Sequence, residues 1–151
     1  MHSQTLTIEK KIKTARPRDI RKAVGYTYAA LDATYNTEEL DDLDIVITVA
    51  DSATNSAYSR KKGDDEPFAN FFQRYSRQLK GYKNELTHAL EQGDVTLTVA
   101  YTHDVSIPAV QYVFNGDSRK ITVVVSEHDV YNSLKAHWEA RAFPFYEIHS
   151  N

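Results

Sequence analysis

Hydrophobic and polar residues alternate in five segments of this chain, and this alternation predicts five β-strands. The segments are residues 5–13, 43–51, 94–103, 109–114 and 120–126. In the second segment Ile45, Ile47 and Val49 fall on one face, which is therefore expected to be buried. The dipeptide Asn115-Gly116 lies between the last two segments and is typical of a tight hairpin turn, so these two strands are expected to be neighbours.

Hydrophobic residues recur every three or four positions in three further segments, and this spacing predicts helices. The first helix is expected to begin at Pro17 and end near Asn36. Its buried stripe consists of Ile20, Val24, Tyr28, Leu31 and Tyr35. The last helix is expected to begin at Ser126 or Asp129 and to stop before Pro144, which cannot continue a helix. Its buried residues are Val130, Leu134 and Trp138.

The second helix is predicted to run without a break over residues 66–92. One narrow hydrophobic stripe follows it from end to end, and the whole stripe is expected to be buried. The stripe consists of Phe68, Phe72, Tyr75, Leu79, Tyr82, Leu86 and Ala89. Gly93 then stands where a helix commonly ends with a residue of positive φ.

These elements predict a single α+β domain over residues 1–151, with the order β-α-β-α-β-β-β-α. One sheet of about five strands, mostly antiparallel and covered by helices mainly on one face, buries all the predicted stripes. Residues 51–66 have no periodicity and are predicted to form a mobile loop. Residues 143–151 are predicted to be an extended aromatic C-terminal tail.

Composition excludes several classes of function. The chain has 151 residues, a formal net charge of -3 and no Cys, so disulfides, thiolate metal sites and cysteine nucleophiles are ruled out. No segment approaches the roughly 20 apolar residues of a membrane span, and the first residues lack the apolar core of a signal peptide. A cytoplasmic protein without membrane association is therefore expected.

Charge is distributed in blocks along the chain. Residues 10–22 carry seven basic side chains and one acid, whereas residues 32–51 carry seven acids and no base. The basic block contains a candidate nucleic-acid surface at the start of the first helix, formed by Arg16, Arg18, Arg21 and Lys22. The alternative interpretation is that the oppositely charged blocks neutralise each other within the fold.

The sequence offers one candidate catalytic site. The first and third strands of the C-terminal meander run in the same direction, so the residues that follow them emerge at the same edge of the sheet, about 10 Å apart. The candidates there are His103, Asp104, His128 and Asp129. Histidine beside carboxylates can serve as general acid or base, which favours a small hydrolase or lyase. Alternatively, these are ordinary turn and cap residues.

No motif for a metal or cofactor is present, because the six His lack metal-binding spacing and the five Gly are scattered singly. The absence of catalytic motifs favours a non-enzymatic binding or regulatory domain that contacts a protein or a small ligand. The long second helix, the aromatic tail and the two sheet edges favour a homodimer. Nucleic-acid binding and a His/Asp hydrolase or lyase are the alternative functions.

Overall fold

The structure is a computed structural model that describes residues 6–11, 15–101, 109–115, 120–140 and 147–150. Its elements, in chain order, are β1 (Leu6–Lys11), α1 (Pro17–Thr34), α2 (Thr37–Asp42), β2 (Val46–Asp51), β3 (Ala57–Lys61), α3 (Phe68–Lys80), α4 (Lys83–Gln92), β4 (Val95–Ala100), β5 (Val110–Asn115), β6 (Lys120–Val125), α5 (His128–Ala140) and β7 (Glu147–Ser150).

The strands form one antiparallel sheet in the order β3-β2-β4-β5-β6-β1-β7. The predicted α+β class is confirmed, and the five predicted strands are its β1, β2, β4, β5 and β6. Two short strands, β3 and β7, extend the sheet at its two edges. β5 pairs with β6 as the hairpin prediction required, with Asn115 opposite Lys120. Trp138's side chain and residues 141–146 lie outside the described residues.

The helices pack against one face of the sheet. Along β2, β4, β5 and β6 buried side chains alternate with half-buried ones, so a single face of the sheet lies in the core. Helix α1 packs against α5 and α3, and α4 contacts β2 and β4. Inside this core the Thr27 hydroxyl lies 2.6 Å from the Tyr112 hydroxyl, which joins α1 to β5 by a buried hydrogen bond.

The segment predicted to be a loop, residues 51–66, contains strand β3. Ser59 of β3 pairs with Thr48 of β2, and a turn over residues 52–56 joins the two strands. Asp51 stabilises this turn, because one carboxylate oxygen accepts the Ala53 amide at 2.8 Å and the other accepts the Thr54 hydroxyl at 2.6 Å. Four of the five β3 residues are exposed. Because so little of this edge strand is buried, its sequence lacks the alternation of hydrophobic and polar residues that predicts a strand.

The predicted helix over residues 66–92 is two helices, which corrects that prediction. Helix α3 ends at Lys80 and α4 begins at Lys83. At the break the amides of Gly81 and Tyr82 donate to the carbonyls of Gln78 and Leu79, three residues earlier, so the last turn tightens and the helix stops. Tyr82 is consequently 39% exposed, although the hydrophobic stripe predicts it to be buried.

Two other helix ends differ from the prediction. Asn36 follows α1 but caps a second helix, α2, by accepting the Glu39 amide at 2.9 Å. Gly93 has φ -177, which is extended and not positive. A Cβ atom there would lie 2.8 Å from the Ser52 hydroxyl oxygen, so any larger residue would displace this hydroxyl, which accepts the Asp94 amide. The tight contact lets α4 end against the β2–β3 turn.

One buried charge joins three elements beside the hairpin of β2 and β3. The Lys62 ammonium donates to the carbonyls of Asp41 at 2.6 Å, Gly63 at 3.0 Å and Glu66 at 3.1 Å, and Lys62 is 3% exposed. Asp41 also accepts the Phe68 amide at 2.8 Å through its side chain. The end of β3, the end of α2 and the start of α3 are therefore held together.

Replacing Lys62 with Met is expected to lower the free energy of unfolding by about 2 to 3 kcal/mol, because three carbonyls lose a charged donor. Lys61→Met is the matched control, since Lys61 is the preceding residue and its side chain is exposed. We expect a change of less than about 0.5 kcal/mol for this control. Urea unfolding measures both values, and equal losses in the two variants would contradict the role of Lys62.

Candidate functional site

A cleft of about 400 Å³ lies between the β2–β3 hairpin and the helices α3 and α4. We call it the hairpin cavity. Its apolar wall consists of Val49 from β2, Leu79 from α3, and Leu86 and Ala89 from α4. Apolar atoms form most of its surface, and the cleft opens to solvent. It lies beside the edge strand β3, at the break where α3 ends at Lys80 and α4 begins at Lys83.

Two tyrosines form the aromatic side of the hairpin cavity. Tyr58 of β3 stacks on Tyr75 with ring centroids 5.2 Å apart, and its ring lies 4.6 Å from that of Tyr82. The Tyr58 hydroxyl donates to the Gln78 side-chain oxygen at 2.5 Å, and the Tyr75 hydroxyl donates to the Tyr58 carbonyl at 3.0 Å. These contacts fix the edge strand to α3 and set the width of the cavity.

Polar groups of the β2–β3 turn surround one side of the hairpin cavity. Asp51, Thr54 and Ser56 all line it. The hydrogen bond from the Thr54 hydroxyl, supported by the Ala53 amide and the nearby charge of His88, holds the pKa of Asp51 below its usual value. Asp51 is therefore a carboxylate at neutral pH. Each of its oxygens accepts one hydrogen bond within the turn and has a further lone pair that can accept another.

Helix α4 contributes two further polar residues to the hairpin cavity. Glu85 and His88 are three positions apart, so they lie on the same side of α4 and both line the cleft. Both are exposed, whereas Leu86 and Ala89 between and beyond them are buried. The cavity thus combines an apolar interior with a mouth that carries two carboxylates and one imidazole.

The predicted His/Asp site lies at a different place, where β4 and β6 end. The two strands do run in the same direction, because both are antiparallel to β5. His103 and Asp104 lie outside the described residues. His128 and Asp129 are exposed in the first turn of α5, and the His128 ring nitrogen Nδ1 lies 3.2 Å from the Asn132 side-chain nitrogen. Whether these candidates form a catalytic site stays a prediction.

The structure places two phenols and a carboxylate at this edge. Tyr35 donates a hydrogen bond to a carboxylate oxygen of Glu127, and the Tyr35 and Tyr101 rings meet edge to face at 6.3 Å. Tyr101 is 1% exposed, and its hydroxyl has no hydrogen-bond partner of normal geometry among the described residues. Burial, reinforced by Glu127, raises the pKa of both tyrosines well above the usual value. Both phenols therefore remain protonated, so they can donate a hydrogen bond but do not act as an acid or a base near neutral pH.

Metal binding has no support in the described part of the chain. Among those residues, no group of three or more His, Cys, Asp or Glu side chains is arranged to hold a metal ion. Glu127 accepts a hydrogen bond from Tyr35, and both oxygens of Asp51 accept hydrogen bonds within its own turn.

The predicted nucleic-acid surface lies at the N-terminal end of α1. Arg16, Arg18 and Lys22 are exposed, and Arg21 is half-buried. Asp19 lies among them, and its carboxylate accepts the Arg16 amide at 2.8 Å. This carboxylate offsets part of the positive charge at the position where a phosphate would bind. Nucleic-acid binding by this segment stays a prediction.

Sequence patterns did not reveal the hairpin cavity. Its residues come from a segment interpreted as a loop and from a helix interpreted as unbroken, so neither suggested a concave surface. Gly81 was the one available signal, because an isolated glycine inside a helical pattern weakens the prediction of a continuous helix.

Because of its buried tyrosines, the fold is expected to lose stability as the pH rises in the alkaline range. Burial raises the pKa of Tyr75, Tyr101 and Tyr112 in the folded chain, so above about pH 10 the unfolded chain binds fewer protons than the folded one. Their stabilising effect is complete below that pH and is lost as the pH rises.

Tyr101→Phe is expected to reduce this dependence on pH. The variant should match the wild type or exceed it slightly at about pH 8, because no described residue makes a hydrogen bond of normal geometry to the deleted hydroxyl. Between about pH 10 and pH 11 its free energy of unfolding should fall by about 1 kcal/mol less than that of the wild type, because an unfolded tyrosine becomes mostly ionised over this interval. Urea unfolding across this range measures the slopes, and parallel slopes for the two proteins would refute the prediction.

No helix in the described part of the chain combines the length and hydropathy needed to cross a membrane.

Comparison with known proteins does not add a functional assignment. The sequence matches no protein-family model, and searches of curated proteins and of solved structures give no match either.

Proposed function

We propose that this protein is a cytoplasmic, non-enzymatic binding protein that holds a small amphipathic molecule in the hairpin cavity. The observation that carries the proposal is the cavity itself, an apolar cleft of about 400 Å³ with polar groups gathered at its mouth. Small-molecule sites in proteins usually have volumes of about 300 to 1,000 Å³, apolar walls and a few polar groups that orient the ligand.

The construction of the hairpin cavity supports a site formed before the ligand arrives. Tyr58 is fixed by ring contacts with Tyr75 and Tyr82 and by its hydrogen bond to Gln78. Asp51 fixes the turn on the opposite side. Preformed walls lower the entropic cost of binding, because few side chains need to become ordered.

Binding without catalysis is supported by the chemistry of the cavity. Asp51 accepts hydrogen bonds from the turn, and those bonds lower its pKa and make it a poor base. Glu85 and His88 line the cavity from positions that are exposed to solvent. The arrangement is suited to orienting a ligand.

A neutral probe tests the proposed site. Phenylbutanol, with an apolar body and one hydroxyl, is expected to bind with a dissociation constant on the order of 1 mM, as is typical for so small a molecule. Amide chemical shifts measured by NMR should change with saturation, and the largest changes should fall on residues such as Thr54, Tyr58, Tyr82 and Leu86, which line the cleft.

Two tryptophan variants of the same hairpin provide the control. Ser56 is exposed and lines the cavity, so Ser56→Trp should fill the cleft and weaken probe binding at least about tenfold. Ser59 contacts Thr48 at 2.9 Å on the other face of the sheet, so Ser59→Trp should leave binding unchanged. Shift changes that map elsewhere, or equal affinity in both variants, would refute the site.

We also propose that the protein forms a homodimer. The support is the sheet face that the helices leave uncovered, where side chains on four adjacent strands are half-buried. These side chains include Thr48, Thr98, Gln111, Val113, Thr122 and Val124. A second copy placed on this face would cover the half-buried side chains of Val113 and Val124.

Light scattering at micromolar concentration tests the dimer. The expected mass is twice the 17.2 kDa of one chain. Val113→Lys places a charge in the centre of the uncovered face and should produce monomers, whereas Thr87→Lys, on an exposed position of α4, should not. A wild-type mass of 17.2 kDa would contradict the proposal.

A further inference from the structure

We propose that the hairpin cavity selects an organic cation, an amine with an apolar or aromatic body, a proposal that rests on the ligand-binding function above. The body would lie against Leu79, Leu86 and Ala89, and the ammonium would remain at the mouth beside Asp51 and Glu85. The charges and the aromatic rings of the cavity carry the assignment.

The charges that line the cavity favour a cation. Of the described residues that line it, two are carboxylates, Asp51 and Glu85, and none is Lys or Arg. A cleft with low-dielectric walls concentrates the field of its charged groups, so a cation is attracted there more strongly than at a flat surface. Oxygen atoms of Thr54 and Ser56 at the same mouth can accept the remaining ammonium hydrogens.

The aromatic rings of the cavity also favour a cation. The face of a tyrosine ring attracts positive charge, and Tyr58 already holds the Arg60 guanidinium 4.5 Å from its ring centroid. Tyr82 lines the same cleft and is 39% exposed, so its ring is accessible to a ligand. An exposed aromatic ring beside a carboxylate is a common arrangement for binding an ammonium group.

Two positive groups near the cavity limit this preference without reversing it. Arg60 is directed onto the Tyr58 ring, and Arg74 is bound by Glu66 at 2.9 Å. Both guanidinium groups are therefore partly compensated by contacts of their own.

Three probes with the same body and different head groups test the preference. Phenylbutylammonium, phenylbutanol and phenylbutyrate are titrated into the full chain at low salt, and amide shifts of the lining residues are followed. The amine is expected to bind about tenfold more tightly than the carboxylate, with the alcohol between them. Raising the salt to about 0.5 M should reduce the difference, because exposed charges are screened.

Two variants of α4 locate the source of the preference. Glu85→Gln removes a charge that lines the cavity, and should weaken amine binding about two- to threefold while leaving the alcohol unchanged. Glu91→Gln removes the same charge from an exposed position of α4 outside the cavity, and should change neither. Asp51 is left intact because its carboxylate holds the turn.

Each outcome decides one of the two proposals. If the alcohol and the carboxylate occupy the cavity as tightly as the amine, or if Glu91→Gln weakens the amine as much as Glu85→Gln, cation selectivity is overturned and the ligand site stands. If none of the three probes shifts the lining residues, the ligand-binding function itself is overturned. The expected order of affinities, with the advantage of the amine reduced only in Glu85→Gln, supports both.

Discussion

The packing of Tyr58 against Tyr75 and Tyr82 is the interaction on which the candidate site depends. Tyr58 belongs to the edge strand β3, which has a hydrogen-bonded neighbour on one side only, β2. An edge strand with mostly exposed residues gains little from burial, so at this end its position relative to the helices depends on the Tyr58 ring and its hydrogen bond to Gln78. The hairpin cavity is the space that this contact leaves open.

The break between α3 and α4 and the buried Lys62 complete the same arrangement. A continuous helix would carry Tyr82 along the buried stripe, whereas the turn at Gly81 brings its ring to the mouth of the cleft. Lys62 anchors the far end of β3 to the carbonyls of Asp41 and Glu66, so the strand is held at both its aromatic and its charged ends. Binding of a ligand would then require little rearrangement, since the walls belong to elements fixed by other contacts.

Burial determined which parts of this structure the sequence could predict. Leu97, Val99 and Tyr112 alternate with polar neighbours because one face of a central strand is covered by helices, and that pattern identifies both strands correctly. β3 is exposed at almost every position, so it has no such pattern. The hydrophobic stripe through Tyr82 has helical spacing on both sides of the break, and periodicity alone does not distinguish one long helix from two. β4 and β6 run in the same direction, and of the described residues at this edge Tyr101 and Glu127 both contact Tyr35, which follows α1 and belongs to no strand. The sequence pattern of the strands does not indicate this third partner.

The contacts of a bound amine test the central claim most directly. Intermolecular nuclear Overhauser effects between phenylbutylammonium and the protein report which protons lie within about 5 Å of each other, a distance comparable to the ring contacts of a packed ligand. The account predicts contacts from the phenyl group to the methyl groups of Leu79 and Leu86, and from the methylene beside the nitrogen to the ring of Tyr82. Contacts confined to the uncovered sheet face, or to the edge near Tyr35, would contradict it.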